Sequence, residues 1–374
     1  MDDFTFFDLV QAYKDCRKNK RFTNNALKFE FNLEENLINL YNDLKNNTYE
    51  IGESICFVVL HPKPREVWAA SFRDRIVHHL VYNAIQDRFI KRFIVDTYSC
   101  IPKRGTLYAT KKLARYAQSI TNNYTEDAYY LKADLKNFFI SIDKNILFEL
   151  LCKNISEKWI LDLVKQIVFN DIKANCFVKK KYKFKFLPKH KTLWNTHDSK
   201  GLPIGNLTSQ FFSNVYLNSL DQYIKHVLKC KYYVRYVDDF VILHKNPAQL
   251  NLYHKRLTNL LKEDLFIDLH QNKKAVNKIS RGIDFVGYNI KPNRIYLRQN
   301  VIRIIFKTSR QKKYWIINYQ QVFENYNRKF VSTMNSYLGL LSKIKSFNIR
   351  KKNCLNSVNL FISCDKDFLK LITY

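Results

Sequence analysis

The sequence predicts an α+β protein, and two features of the 374-residue chain support this fold class. Residues 130–134 and 233–243 are rich in β-branched and aromatic side chains, which is typical of buried strands. Longer segments before and after them repeat apolar residues at helical spacing. Hydrophobic residues make up 46% of the chain, so a folded core is expected rather than disorder.

The amino-terminal quarter predicts helices on either side of a strand pair. Residues 1–50 predict helices, because apolar residues such as Leu33 and Leu37 recur on one face. Residues 54–70 predict a short strand, a proline-marked turn and a return strand. Residues 71–90 predict a further helix.

The rest of the chain mixes both element types. Residues 144–155 predict a helix, and residues 173–191 interleave eight lysines with aromatic side chains, a pattern typical of a β-hairpin or an exposed loop. A Gly/Pro-marked loop over 201–210 leads into a long amphipathic helix. Residues 282–290 predict one strand, and the pattern from about residue 300 to the end predicts basic helices.

Net charge is the strongest compositional signal. The chain has 63 Lys and Arg against 33 Asp and Glu, a net charge of +30 that favours a polyanionic partner such as nucleic acid. The alternative, Lys/Asn/Ile-rich residue usage from an AT-rich genome, explains the lysine and asparagine counts but not the shortage of acids. The eight cysteines include no CxxC pair, so neither a zinc ribbon nor a disulfide framework is predicted. The amino terminus lacks a signal peptide's basic region and no long apolar run occurs, so we expect a cytoplasmic protein with no membrane contact.

Two adjacent carboxylates, Asp238 and Asp239, interrupt the apolar pattern "YVRYVDDFVIL". Burying such charges is costly unless a cation compensates them. Mg²⁺ binds one or two carboxylates together with phosphate oxygens, and Asp134 at the end of another apolar strand is a candidate third ligand. The pattern therefore predicts a two-metal site for nucleotidyl transfer, with a solvated turn as the alternative.

These motifs resemble those of reverse transcriptases. The segment "YVDD" at 236–239 resembles the family's central aspartate motif, and "DLKNFFISID" at 134–143 is similar to its first catalytic motif. The resemblance implies a right-hand polymerase with fingers, an antiparallel-sheet palm and a helical thumb. It implies two Mg²⁺ ions, with Mn²⁺ as a substitute, and the metal ligands Asp134, Leu135, Asp238 and Asp239.

The resemblance also implies a division into domains. These are an amino-terminal helical extension (1–55), fingers (56–130), a palm (131–298) with a basic insertion around 173–200, and a helical thumb with a carboxy-terminal tail (299–374). Basic residues in the insertion and the thumb are expected to contact nucleic acid. They are Lys179, Lys180, Lys181, Lys343, Arg350 and Lys351.

A nucleotide site follows from the same resemblance. Phe139 falls where the family has an aromatic gate against the ribose 2′-hydroxyl, with core packing as the alternative. Arg65 and Arg75 are expected to approach the triphosphate, and the alternative is a surface salt bridge, for example with Asp74 or Glu66. Further substrate contacts are expected from Arg104, Ile204, Gly205, Gln210, Tyr236 and, as candidate general acid, Lys273 or Lys274.

The segment "GLPIGNLTSQ" at 201–210 distinguishes subfamilies. The usual motif has Gln-Gly followed by Ser-Pro, but here Ile204 stands for Gln and Gln210 for Pro. This variant resembles reverse transcriptases of diversity-generating retroelements, which copy a template RNA with frequent errors at adenine. The resemblance implies template RNA, cDNA, dNTPs and a pentameric basic accessory protein as partners, and a bacterial, phage or prophage origin. The alternatives are a retron-type or antiphage-defence reverse transcriptase and a non-catalytic RNA-binding scaffold.

Overall fold

The structure, a computed structural model, divides the chain into two compact units. It describes residues 3–18, 20–60, 63–270, 275–315, 323–357 and 362–373, with side chains described outside 310–329, 362 and 373. The first unit comprises Met1–Gly105, Lys132–Phe240 and Asn251–Lys274. The second comprises Thr106–Leu131, Val241–Leu250 and Ala275–Tyr374. Each unit is therefore assembled from segments that lie far apart in the sequence.

Helices and strands alternate along the described part of the chain, which confirms the α+β prediction. The helices are α1 (Phe6–Arg17), α2 (Asn24–Phe31), α3 (Leu33–Lys45), α4 (Phe72–Ile90), α5 (Thr106–Ile120), α6 (Phe138–Ser141), α7 (Lys144–Cys152), α8 (Lys158–Phe169), α9 (Leu207–Tyr216), α10 (Asn218–Gln222), α11 (Pro247–Asp264), α12 (Gln299–Trp315), α13 (Phe323–Leu341) and α14 (Phe347–Leu355). The strands are β1 (Ser54–Val59), β2 (Arg65–Ala69), β3 (Tyr129–Asp134), β4 (Cys176–Val178), β5 (Tyr233–Tyr236), β6 (Asp239–His244), β7 (Ala275–Lys278), β8 (Ile283–Phe285), β9 (Tyr288–Lys291), β10 (Arg294–Leu297), β11 (Ile362–Cys364) and β12 (Leu371–Thr373). Within the sheets the strand orders are β2-β1-β4, β5-β6-β3-β7, β10-β9-β8 and β11-β12. None of the described helices combines the length and the apolar composition needed to cross a bilayer.

The predicted amino-terminal helices are present and form one core in the first unit. The Thr5 hydroxyl accepts a hydrogen bond from the Asp8 main-chain N–H, and the Asp8 carboxylate accepts one from the Thr5 N–H. This reciprocal capping satisfies main-chain donors that a helix start leaves unpaired. The helices α1, α3 and α4 contribute the fully buried side chains of Leu9, Leu40 and Ile76 to the core.

The lysine-rich segment 173–191 does not form a β-hairpin, which was one of its two predicted structures. Instead β4 pairs in parallel with β1, placing Val178 opposite Cys56. Short 3-10 helices follow at Lys181–Phe186 and Lys189–Lys191. A hairpin would set lysines directly opposite one another, and such like-charge pairs are unfavourable.

The hairpin that carries the adjacent aspartates agrees with its prediction. Strands β5 and β6 are neighbours, and Val237 and Asp238 form the two-residue turn between them. The other neighbour of β6 is β3, which ends at Asp134 as predicted. Neighbouring strands lie about 4.8 Å apart, so pairing brings residues from distant segments within reach of one another.

Two predictions for the second unit are wrong in detail. Residues 282–290 form two short antiparallel strands, β8 and β9, because Gly287 turns the chain at a φ of +92° that favours glycine. The chain is also not helical to its end, since β11 and β12 pair antiparallel after α14. The β12 residue Leu371 is 1% exposed and belongs to the same core as Met334 and Leu338 of α13. Burial of this side chain explains why the last segment packs as a strand.

Candidate active site

The first unit brings together three aspartates that the sequence singled out. Asp134 ends β3, Asp238 lies in the β5–β6 turn, and Asp239 begins β6. A fourth charged group lies beside them, because the Lys132 Nζ is 3.4 Å from Asp239 Oδ2. Lys132 precedes Asp134 by two residues, so both side chains lie on the same face of β3.

The charges of Asp134 and Asp238 act on Asp239. Burial and, to a smaller extent, the negative charges of Asp134 and Asp238 together raise the pKa of Asp239 to about 6, while Lys132 opposes the shift. The Asp239 Oδ1 is buried, and within the described part of the chain it has no hydrogen-bond partner. A buried carboxylate oxygen without a donor is an unfavourable arrangement that a bound cation relieves.

The residue types at this site suit a divalent cation, although their side chains are not already arranged around one. Carboxylate oxygens are the ligands that Mg²⁺ prefers, and the orphaned Asp239 oxygen offers one. Among the described residues, however, no three His, Cys, Asp or Glu side chains already converge as a metal site. Leu135 is 2% exposed and has only its main-chain carbonyl to offer. The metal ligands, including Leu135, therefore stay predictions.

A buried ion pair supports the turn that carries Asp238. The Arg235 guanidinium is fully buried and donates to both Asp221 oxygens, at 2.7 and 2.6 Å. Its Nη1 donates to the Val237 carbonyl at 2.9 Å and to the Asn214 side chain at 3.1 Å. Val237 has a φ of +55°, an unusual value for a β-branched residue. Arg235 thus holds a strained turn directly before Asp238.

The first catalytic motif turns sharply after Asp134. Asn137 adopts a left-handed conformation, with φ +51°, before the short helix α6. In α6, Phe138 is 2% exposed and takes the core position, whereas Phe139 is half-buried. The packing alternative therefore applies to Phe138, and the gate role of Phe139 stays a prediction.

The loop before α9 is held against β2. The Trp68 N–H donates to the Ile204 carbonyl at 2.7 Å, and the Ala70 N–H donates to the Asn206 side chain at 3.2 Å. Gly205 has a φ of +132°, and a Cβ there would lie 2.5 Å from the Trp68 carbonyl oxygen. Only glycine fits this approach. The Ile204 main chain is consequently fixed while its side chain remains half-buried.

A buried histidine braces the same region from α4. The His78 Nδ1 is hydrogen-bonded to the Thr208 hydroxyl at 2.7 Å, joining α4 to the first turn of α9. Burial lowers the pKa of His78 from its usual 6.5 to about 3. The folded protein therefore keeps this imidazole neutral at pH values where the unfolded chain protonates it.

We expect this histidine to make stability depend on pH. Below about pH 6.5 the unfolded state gains a proton that the folded state does not, so the free energy of unfolding falls with falling pH, by up to about 1.4 kcal/mol per unit. Urea unfolding between pH 7 and 5 should show a steeper slope for the wild type than for His78→Gln. His190→Gln is the control, since His190 is exposed. Equal slopes for wild type and His78→Gln would contradict a neutral His78.

Arg65 and Arg75 are the residues predicted to contact the triphosphate, with an ion pair to an acid such as Asp74 or Glu66 as the alternative. Arg65 is exposed on β2, and neither it nor Arg75 pairs with Asp74 or Glu66. The Asp74 carboxylate instead accepts from the Tyr49 hydroxyl at 2.8 Å and from neighbouring groups. Glu66 accepts from the Leu193 N–H at 2.9 Å, which anchors the basic insertion to β2. Among the described residues, neither acid is thus an ion-pair partner of these arginines, and their triphosphate role stays a prediction.

Arg104 has a structural task in addition to its predicted contact. Its Nη1 lies 3.3–3.4 Å from the main-chain carbonyls of Ile94, Val95 and Thr97. Three carbonyl acceptors around one donor group hold this loop in place. A template or phosphate contact by the rest of the guanidinium stays a prediction.

Gln210 and Tyr236 share a neighbour that the sequence did not indicate. The Cys100 Sγ is 3.3 Å from the Gln210 Oε1, and burial raises the pKa of both Cys100 and Tyr236. The charge of Cys100 is a second cause of the Tyr236 shift, so the thiol also lies near that phenol. The structure thus brings two predicted substrate contacts around one cysteine.

The predicted nucleic-acid contacts are divided between the units. Lys179, Lys180 and Lys181 are exposed in the first unit. In the second unit, Lys343 and Lys351 are exposed, whereas Arg350 is half-buried and donates to the Asp367 carbonyl at 2.8 Å. Lys273 and Lys274 lie outside the described residues.

Sequence reasoning missed the charged partners around the aspartates. Lys132 could have been found, because strand periodicity puts it on the face of Asp134. Arg235 was also visible, as a lone charge inside a buried strand pattern that requires a buried partner. No sequence pattern around Asp221 indicates that it is the partner of Arg235.

Comparison with known proteins identifies the family. Residues 61–290 match the reverse transcriptase (RNA-dependent DNA polymerase) family. The chain belongs to this family. The COX1/OXI3 intron 2 protein of Saccharomyces cerevisiae is 20% identical over 275 residues, covering 59% of this chain and 29% of that protein. Protein YkfC of Escherichia coli is 22% identical over 261 residues, covering 61% of this chain and 63% of that protein.

Solved structures agree with the reverse transcriptase assignment at the level of fold. The apo telomerase of Candida tropicalis superposes with a TM-score of 0.51 and 12% identity, over 85% of this chain and 60% of that chain. This likeness confirms the right-hand polymerase fold. The reverse transcriptase chain spans less than two thirds of each of these proteins. The domain boundaries, site residues and retroelement type stay predictions.

Proposed function

We propose that this reverse transcriptase polymerises DNA on an RNA template, with Asp134, Asp238 and Asp239 as its catalytic carboxylates. The placement of the aspartates carries the proposal, because the strand that ends at Asp134 is the neighbour of the strand that begins at Asp239, directly after Asp238. Such a concentration of negative charge has no structural benefit by itself. It fits the cationic chemistry of nucleotidyl transfer.

The side chains of this site have distinct proposed tasks. Divalent ions held by the three aspartates would activate the primer 3′-hydroxyl and neutralise the leaving pyrophosphate. Arg65 and Arg75 would bind triphosphate oxygens through their guanidinium groups, and the buried Arg75 Nε has no partner among the described residues. Phe139 would exclude a ribose 2′-hydroxyl by its bulk. Primer extension by Asp238→Asn, developed in the Discussion, tests the aspartates.

We further propose that the enzyme is of the diversity-generating retroelement type and makes frequent errors at template adenines. Ile204 supports this, since the usual Gln would offer a hydrogen bond that an aliphatic side chain cannot. Without that polar contact, the site discriminates less well between correct and incorrect nascent pairs. Because a hydrogen bond fixes the main chain of Ile204, we attribute the proposed loss of discrimination to its side chain alone.

Restoring glutamine is expected to raise fidelity. Ile204→Gln should lower misincorporation opposite adenine by roughly fivefold, because one neutral hydrogen bond contributes about 1 kcal/mol. The Trp68–Ile204 hydrogen bond uses main-chain atoms and is unaffected by the change. Sequencing cDNA copied from one defined RNA template measures error frequencies at all four bases.

The matched control is Ile204→Leu, which changes shape but adds no hydrogen-bonding group. This variant should keep the wild-type error frequency at adenine. If Ile204→Gln and Ile204→Leu change fidelity equally, side-chain shape rather than hydrogen bonding is responsible. An already low wild-type error rate at adenine would favour the retron-type or antiphage-defence alternative.

The proposed partners are template RNA, cDNA, dNTPs and a pentameric basic accessory protein. The net charge of +30 supports the nucleic-acid partners. A basic accessory protein would be repelled by this chain at long range, so their association would need bridging RNA or an apolar contact. Near-copy repeats that differ at adenines, beside the gene, would support the retroelement assignment.

A further inference from the structure

The first unit contains a polar cavity that the proposed mechanism does not use. The cavity has a volume of about 70 Å³ and lies where the start of α7, the end of α8, the loop before α9 and the first turn of α9 meet. We call it the polar cavity. Among the described residues that line it, none is a proposed ligand of metal, nucleotide or nucleic acid. Nucleotidyl transfer therefore does not account for it.

Several polar side chains that line the polar cavity are almost completely buried. They are Ser54, His78, Lys144, Asn206 and Ser209, each at most 8% exposed. Buried polar side chains are rarely left without hydrogen-bond partners in folded proteins. A cavity bordered by this many of them suits a polar occupant, whereas empty cavities are usually apolar.

These side chains have hydrogen-bonding capacity that the protein itself does not use. Within the described part of the chain, the Lys144 ammonium group and the hydroxyls of Ser54 and Ser209 have no hydrogen-bond partner. Asn206 uses only its side-chain oxygen, and His78 uses only its Nδ1. Ammonium, amide and hydroxyl groups are all able to donate. The cavity therefore suits an occupant that supplies several acceptor oxygens.

The charge of Lys144 favours an occupant that is negatively charged. Burial lowers the pKa of Lys144, and the charges of Asp171 and Asp198 oppose this shift, although among the described residues neither acid forms an ion pair with it. Both acids are exposed and contact Lys173 instead. The Asp198 carboxylate pairs with its ammonium group, and Asp171 accepts from its main-chain N–H at 3.1 Å. A buried ammonium group without a close anion is unfavourable, so a bound anion would stabilise it.

The start of α9 attracts the same charge. This helix has 10 residues, and its N-cap residue Asn206 makes no side-chain hydrogen bond to the first turn. The Asn206 oxygen instead accepts from the Ala70 N–H at 3.2 Å. Free N–H groups and the helix dipole make such a helix start favourable for anions. Because Asn206 and Ser209 also line the polar cavity, the helix start and the Lys144 ammonium group favour an anion in one place.

We propose that the polar cavity binds a tetrahedral oxyanion, with inorganic phosphate as the cellular ligand. Phosphate combines negative charge with several acceptor oxygens. A volume of about 70 Å³ has room for several water-sized groups, since each needs roughly 10–15 Å³. It is far below the roughly 300 Å³ of the smallest typical sites for larger ligands, so neither a nucleotide nor a nucleic-acid strand is the expected occupant. Bound phosphate would join α4, α7 and α9 and thereby support the loop that carries Ile204.

The test measures phosphate binding by the full chain without nucleic acid or dNTPs. Isothermal titration calorimetry gives the affinity for sodium phosphate. In parallel, the thermal unfolding midpoint in phosphate is compared with the midpoints in sulfate, acetate and chloride at matched ionic strength and pH. A ligand that binds only the folded state raises this midpoint. Sulfate is also tetrahedral and should act like phosphate, whereas acetate and chloride should have much smaller effects.

Two variants remove donors from the cavity. Lys144→Met removes the charge but keeps a long side chain, and it should weaken phosphate binding at least about tenfold, because hydrogen bonds between charged groups are among the strongest. Ser209→Ala keeps the charge, removes one hydroxyl and should weaken binding by about the same factor. Circular dichroism checks that both variants fold. Lys153→Met is the matched control, since Lys153 is exposed directly after α7 and its loss changes the net charge equally. This control should bind phosphate like the wild type.

Three results would overturn the proposal. The first is equal phosphate affinity in the wild type and both cavity variants. The second is an equal loss of affinity in Lys144→Met and Lys153→Met, which would indicate a general effect of the +30 net charge. The third is equal stabilisation by phosphate, acetate and chloride, which would indicate charge screening alone. Because no catalysis is measured, the outcome is independent of the proposed roles of Asp238 and Ile204.

Discussion

Asp238→Asn is expected to abolish primer extension while leaving the chain folded. The change removes one negative charge from a site where three carboxylates repel one another, so the free energy of unfolding should be unchanged or higher. Loss of the carboxylate should lower extension at least about a thousandfold, equivalent to ~4 kcal/mol of transition-state stabilisation. Extension on a poly(rA)/oligo(dT) duplex, with urea unfolding in parallel, measures both quantities.

Asp268→Asn provides the matched control. Asp268 is exposed, and its main-chain carbonyl accepts from the Lys136 N–H close to the first catalytic motif. The control thus makes the same change of charge near the site without touching the three aspartates, and it should extend primers normally. If Asp238→Asn still extended primers, the proposal that Asp238 is a catalytic carboxylate would be contradicted.

Breaking the Arg235–Asp221 pair is expected to cost both stability and activity. Either Arg235→Gln or Asp221→Asn leaves one buried charge without its partner, and the free energy of unfolding should fall by about 3–5 kcal/mol. Arg235→Gln also loses the donor to the Val237 carbonyl that holds the strained turn. A displacement of about 1 Å in a reacting group costs roughly a hundredfold in rate, so extension should fall by that order.

The double variant Asp221→Asn/Arg235→Gln separates the two effects. It contains no unpaired charge. The Tyr233 and Thr97 hydroxyls donate to different Asp221 oxygens, at 2.6 and 2.7 Å, so the Asn oxygen accepts from one hydroxyl and the Asn NH2 group donates to the oxygen of the other. Stability should therefore recover substantially. Activity should stay low, because the shorter glutamine does not reach the Val237 carbonyl. Recovery of both stability and extension would show that the pair only stabilises the fold.

The strands and helices near the aspartates were predictable because they depend on local periodicity. The hairpin over 233–243 and the strand that ends at Asp134 follow from runs of β-branched and aromatic residues. The same reasoning missed the turn at Gly287, which divides residues 282–290 into two strands. It also allowed a hairpin for 173–191, because alternating lysine and aromatic residues do not reveal which edge a short strand will join.

The sequence by itself determined the family motifs, the three aspartates and the unusual isoleucine at 204. Only the tertiary structure decided which distant groups support them. The Asn206 side chain and the Ala70 N–H are 136 residues apart, yet their hydrogen bond helps to fix the loop that carries Ile204. Arg235 likewise needed Asp221, which lies on another element. The physical reason is that buried polar groups must find partners once packing excludes water, and packing joins segments that no local pattern connects.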